Sequence, residues 1–133
     1  MALEQVNSII KSIDAGKIAP IYALMGEEPY YIDVISQYIE DRLLSEAEKG
    51  FNQMTLYGRD TKVEEIIEHA KRFPMMSERQ VIIIKEAQDL ARTIEQLADY
   101  AAAPQPTTVL VLCYKYKKLD ARKKLLKSIR ANG

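Results

Sequence analysis

The chain has 133 residues, 47% of them apolar and 29% charged, with nineteen Lys and Arg balancing nineteen Asp and Glu. These figures describe one soluble globular domain and exclude a disordered tail, while no apolar run approaches the roughly 18–20 residues of a membrane span. A single cysteine, Cys113, and a single histidine, His69, rule out an internal disulfide and a thiol-rich zinc site and argue against a His-based catalytic triad.

Apolar periodicity alternates between helical and extended along the chain. Leu3, Val6, Ile9, Ile10 and Ile13 recur at helical spacing up to Gly16, without the basic head or small-residue cleavage site of a signal peptide. Ile18 to Met25 reads as a buried strand bounded by Gly26. Pro29 suits the first turn of a second helix, whose stripe would be Tyr31, Ile35, Tyr38/Ile39 and Arg42/Leu43, fading by Gly50. Phe51 to Tyr57 reads as a second strand closed by Gly58. Thr61-Lys62-Val63-Glu64 has the capping-box pattern, opening a helix with Val63, Ile66/Ile67 and Ala70 on one face.

Val81 to Ile84 is the strongest strand: four β-branched residues without a polar interruption, as expected where both faces are covered in a parallel sheet. A helix through Leu90, Ile94, Leu97/Ala98 and Ala101 follows, ended by Pro104 and Pro106. Thr107 to Cys113 gives another buried strand, and Leu119 to Ile129 a closing helix with Leu125, Leu126 and Ile129 inward. Strands alternating with helices predict right-handed βαβ units in a three-layer αβα sandwich, with a mainly parallel sheet of four to five strands. The final Arg130-Ala131-Asn132-Gly133, directly after a helix, reads as a cut rather than a natural end.

Ligands of such sheets sit beyond the carboxyl ends of the strands, so the loops there come first. The loop Gly26-Glu27-Glu28-Pro29-Tyr30 has one glycine, no lysine and no Ser or Thr hydroxyl, and two adjacent carboxylates that would repel a triphosphate. Glu27 and Glu28 favour the following helix N-terminus better than they make an acid/base couple. After the third strand, Lys85 stands where a nucleotide hydrolase needs an acid, and Gln88 or Asp89 is expected to cap a helix. His69 is expected to face solvent and Cys113 to be a small core residue.

Arg72-Phe73-Pro74-Met75-Met76-Ser77-Glu78-Arg79 is the unusual segment. Phe73 continues the Val63–Ile66–Ala70 face and is expected to cap the core. Met75 and Met76 cannot both easily point inward, which leaves at least one as a contact for a protein partner. Charge is also polarised: Lys115 to Arg130 holds eight basic residues and one acid, Asp120, leaving the rest at minus seven. That basic run is either the solvated face of the last helix or a surface for a charged partner.

Three motifs in order carry a family resemblance: Ile-Tyr-x-Leu-x-Gly-Glu-Glu-Pro-Tyr, then Phe-Pro-Met-Met-Ser-Glu-Arg-Gln-Val-Ile-Ile-Ile, then Lys-Leu-Asp-Ala-Arg-Lys-Lys-Leu. Together they resemble the N-terminal domain of the bacterial DNA polymerase III delta subunit family, over about residues 1–130. The resemblance implies an AAA+-like domain with a degenerate nucleotide site at Gly26, Glu27, Glu28, Pro29 and Tyr30. It implies neither cofactor nor catalytic activity, and a cytoplasmic place within a replicative nucleotidyltransferase complex. The family's linking and collar domains are expected to lie outside this chain.

The implied partners are the beta sliding clamp, which the domain would bind and bias toward its open state, the gamma/tau and delta prime loader subunits, and DNA through the assembled complex. The implied clamp-binding element is Met75 and Met76, flanked by Phe73, Pro74, Ser77 and Arg79. Lys118, Arg122, Lys123, Lys124 and Lys127 would face either DNA or a neighbouring subunit. The alternatives are a scaffold touching only other loader subunits, and a nucleotide- or DNA-binding AAA+-type domain.

Overall fold

Uninterrupted apolar, β-branched runs favour central strands, because both faces of each residue pair must be dry. In the computed structural model, which describes residues 3–132, these runs form β3 (Gln80–Lys85) and β4 (Thr108–Lys115) at the centre of the sheet. The outer strands are β1 (Ile21–Gly26) and β2 (Gln53–Tyr57), giving the order β1-β4-β3-β2, with every pair parallel. Met1, Ala2, Gly133 and the Leu3 side chain lie outside the described residues.

The pleat sends alternate residues to two cores. Ile82, Ile84, Leu110 and Leu112 pack with α4 (Val63–Lys71), α5 (Ala98–Ala102) and α6 (Lys124–Asn132). Val81, Ile83, Val109, Val111 and Cys113 pack on the other side with α1 (Leu3–Asp14) and α2 (Pro29–Arg42). The expected three-layer αβα sandwich is therefore present, with four strands among the described residues. No helix among those residues is long and apolar enough to cross a membrane.

Several expectations shift by a turn or less. β1 starts at Ile21 rather than Ile18, although the Pro20 carbonyl already accepts from the Leu110 N–H at 2.9 Å. The inward stripe of α2 is Ile32, Ile35, Ser36 and Ile39; Tyr31 and Tyr38 flank it half-buried, and Arg42 lies over the Tyr38 ring instead of in the core. The Tyr38 hydroxyl needs a polar partner and finds the Asp14 carboxylate. Thr61 does not close a capping box: Lys62 is the N-cap of α4, and the Thr61 hydroxyl bonds the Glu65 side chain.

Two differences are larger. The expected helix from Leu90 to Ala101 is 3₁₀ at Ala87–Leu90 and Ile94–Leu97 before the short α5. Both helix types bury residues three apart, so apolar spacing alone does not tell them apart. The closing helix begins at Lys124, because Asp120 bonds the Arg122 N–H at 2.9 Å and makes a turn where the first helical turn was expected.

An additional helix, α3 (Glu46–Asn52), occupies the stretch where the second helix was expected to fade. Ser45 and Glu48 form its capping box, and it takes Phe51 out of the expected second strand.

Candidate functional site

Because all four strands are parallel, the sheet has two unlike edges. Gly26, Tyr57, Lys85 and Lys115 stand at the carboxyl edge, and the segments entering β2 and β3 meet at the opposite one. Gln53 pairs with Val81, so Phe51 and Asn52, just before β2, are brought beside the loop from Phe73 to Arg79, just before β3.

That loop begins with a correction. Phe73 is 75% exposed and does not cap the core. Pro74 disfavours a helical conformation at the residue before it, and Arg72 is already extended at φ −73°, ψ 156°, so the helical period ends before Phe73. Both methionines face solvent, Met75 at 61% and Met76 at 101% exposure, where at least one was expected to. Met76 also has φ +54°, a left-handed conformation that a side chain carrying Cβ adopts at a cost of about 1–2 kcal/mol.

Polar contacts hold the loop in that shape. The buried Asn52 amide accepts from the Met75 N–H at 2.6 Å and donates to the Met75 carbonyl at 2.8 Å. The Ser77 hydroxyl donates to the Glu48 carboxylate, and the Arg79 N–H reaches the same hydroxyl at 3.5 Å. That Ser77 bond first, then the Ser45 backbone N–H, holds the Glu48 carboxyl below its usual range. At the far end, the Gln80 amide donates to the carbonyls of His69 at 3.0 Å and Arg72 at 2.7 Å, and Thr108 donates to that of Ala70 at 2.7 Å. These bonds satisfy carbonyls at and just past the end of α4, where the helical ladder runs out. His69 itself is half-buried, with Nδ1 3.1 Å from Arg72 Nη1.

The carboxyl edge is organised differently. Gly26, at φ +137°, exchanges main-chain bonds with Lys117 and Tyr116, and the Glu28 carboxylate accepts from the Tyr30 N–H at 3.3 Å as N-cap of α2, with Pro29 in its first turn. Glu27 and Tyr30 are exposed. Lys115 Nζ pairs with Asp33 at 3.0 Å and Glu86 at 3.3 Å. Burial opposes the Lys115 charge, but the bonds and charges of Asp33 and Glu86 outweigh it and move the amine upward. Neither Gln88 nor Asp89 caps the following turn: Glu86, at φ +53°, is its N-cap, and Gln88 instead accepts from the Lys115 N–H at 3.0 Å. Cys113 is buried in the core as expected, and burial pushes its thiol up to about 11.

The basic run divides. Arg122 is bound to Asp120, whose carboxyl falls to about 2 chiefly through that side-chain bond, and Lys124 reaches Asp99 at 2.8 Å. Lys118, Lys123 and Lys127 are exposed.

The family described as DNA polymerase III, delta subunit, matches residues 22–133. This chain belongs to that family. It is 30% identical to the DNA polymerase III subunit delta of Bacillus subtilis (strain 168) over 96% of its own length. The solved Bacillus subtilis DNA clamp loader delta protein superposes with a TM-score of 0.80, at 27% identity over 96% of this chain. A DNA polymerase III gamma subunit-related protein from Thermotoga maritima shares the fold, with a TM-score of 0.56 at 13% identity, over 96% of this chain and 43% of that one. The chain spans 40% of the length of the Bacillus subtilis delta relative, in the sequence match and in the solved structure alike.

Within this delta-family fold, the wholly apolar exposed side chains, Phe51, Phe73, Met75 and Met76, gather at the amino edge of β2 and β3, while the exposed tyrosines Tyr30, Tyr57 and Tyr116 lie on the carboxyl side where α/β ligands are usually sought. Sequence reading missed Phe51, Asn52 and Glu48, all on α3. The Ser45-x-x-Glu48 pattern was the signal available for them.

Proposed function

We propose that this delta-family domain binds the beta sliding clamp through Met75 and Met76 and favours the open ring, acting without bond chemistry of its own. The observation that carries the reading is the pair of exposed methionines on a loop whose main chain is already held by Asn52, Ser77 and Gln80. A flexible methionine loses rotamer entropy on docking, up to about 2 kcal/mol each, but a loop fixed beforehand loses little more. Burying both side chains contributes roughly 3–6 kcal/mol before those costs, enough to dominate a small interface. Phe73, with Pro74, extends the apolar surface, while Ser77 and Arg79 set the turn into β3.

Ring opening then follows as a population shift: the domain must bind the open ring more tightly than the closed one, because equal affinity moves nothing. With gamma/tau and delta prime as neighbouring loader subunits, ATP binding in sister subunits would control when the methionine loop is free. The Gly26–Tyr30 loop supports a non-catalytic role, since Glu28 and Pro29 serve helix initiation and Lys115 is engaged by Asp33 and Glu86. Lys118, Lys123 and Lys127 remain for DNA phosphates or a neighbouring subunit within the cytoplasmic complex.

Calorimetric titration with the sliding clamp of the same organism tests the reading. The expected result is saturable binding that Met75→Ala/Met76→Ala weakens at least a hundredfold, with an unchanged urea midpoint. Undiminished binding by the double variant overturns it.

A further inference from the structure

The exposed apolar surface continues past the methionine pair onto α3. Phe51, on its last turn, is 77% exposed. The next residue, Asn52, holds the Met75 main chain through both the oxygen and the nitrogen of its side-chain amide, so α3 and the loop are fixed to each other. Between them Ala47, Glu48, Phe51, Asn52, Met75 and Met76 line a hollow of about 300 Å³. It has room for one large apolar side chain. Its two polar members are turned to internal partners, Asn52 to Met75 and Glu48 to Ser77 and Ser45. What the hollow offers an incoming group is therefore apolar contact with Ala47, Phe51, Met75 and Met76.

We infer that this hollow is a socket that receives an apolar side chain from the same partner protein that Met75 and Met76 engage, with Phe51 as its outer wall. The inference rests on the reading of the methionines as docking residues. It follows from continuity: Met75 and Met76 are themselves walls of the hollow, so a surface packed over them also covers it. The contact is then reciprocal, with methionines presented to the partner and one partner side chain received in return. Phe51 acts as a contact residue whose removal leaves the core intact, because its ring is in solvent when the protein is alone.

The test is titration of the sliding clamp with Phe51→Ala, Phe51→Leu and Ala47→Leu, beside the methionine double variant, with urea unfolding and sedimentation as controls. Phe51→Ala is expected to weaken binding about tenfold, and Phe51→Leu to recover most of the loss. Ala47→Leu, at an exposed position, fills the hollow and is expected to weaken binding similarly without touching Phe51. If Phe51→Ala and Ala47→Leu bind within twofold of the unsubstituted chain while the double variant does not, the socket is overturned and the methionine reading stands. If the double variant itself binds normally, both fall. Concentration-dependent self-association that Phe51→Ala abolishes, with clamp binding intact, would make a second copy of the chain the occupant and also overturn the inference.

Discussion

The two edges of the sheet use the same kinds of residue to opposite ends. At the carboxyl edge, Lys115, Asp33, Glu86 and Gln88 bind one another, and the side chains left in water beside them are tyrosines and charges: Tyr30, Tyr116, Glu27, Lys117 and Lys118. At the amino edge, Asn52, Ser77, Glu48 and Gln80 also bind within the protein, but the result is a fixed loop that presents Phe73, Met75 and Met76 to water. Internal polar satisfaction ties up the central charges at one edge and fixes an apolar loop at the other. The difference lies in what is carried on the frame: charge that has found its partner, or apolar area that has not.

Asn52→Ala separates frame from cargo most sharply. It removes two hydrogen bonds to the Met75 main chain from a buried position, at an expected cost of about 2 kcal/mol in urea unfolding. Hydrogen exchange at the Met75 amide should accelerate, and clamp binding should weaken although both methionines remain. An unchanged Met75 exchange rate would show that the loop is held by something else.

Lys115→Met examines the other edge. Its partner Asp33 is open to solvent and Glu86 is half-buried, so the expected loss is about 1 kcal/mol, with clamp binding unaltered. The folded amine is raised above 10.5, so the pairing is complete below that pH and is lost as pH rises through the folded value. The gap in urea midpoint between the two proteins should accordingly be constant near neutrality and narrow in strong alkali. A weakened clamp affinity in Lys115→Met would break the separation between the edges.

Met76→Gly has the smallest expected effect and the opposite sign. Glycine relieves the left-handed backbone at φ +54° while gaining freedom in the unfolded chain, for a net stabilisation of about 0.5 kcal/mol. Its urea midpoint should rise slightly as clamp affinity falls. A lowered midpoint would mean that the Met76 side chain contributes to the fold despite its exposure.

The sequence shows the sheet far better than it shows this surface. Val81–Ile84 and Thr107–Cys113 announce buried parallel strands because burial on both faces leaves an uninterrupted apolar run. The methionines were legible as a surplus of apolar side chains in a loop. Phe73 was misread because helical spacing to Ala70 says nothing once Pro74 has ended the helix. Phe51 and Asn52 stayed hidden because Gly50 looked like an end, although Ser45 and Glu48 had already begun a new helix. Long-range bonds such as Asn52 to Met75 leave no periodicity at all.

The strand order also sets a timetable. Ile21 in β1 pairs with Leu110 in β4, which the ribosome makes 89 positions later, whereas β2 and β3 are joined by a 3₁₀ turn, α4 and the loop that follows it. At about 5–20 residues per second, β1 waits roughly 4–18 s for the strand it bonds. For that interval its backbone is an unpaired template among nascent chains, and α1 has no finished layer to lie on. In a purely parallel sheet of this order, the first strand synthesised is completed only by the last.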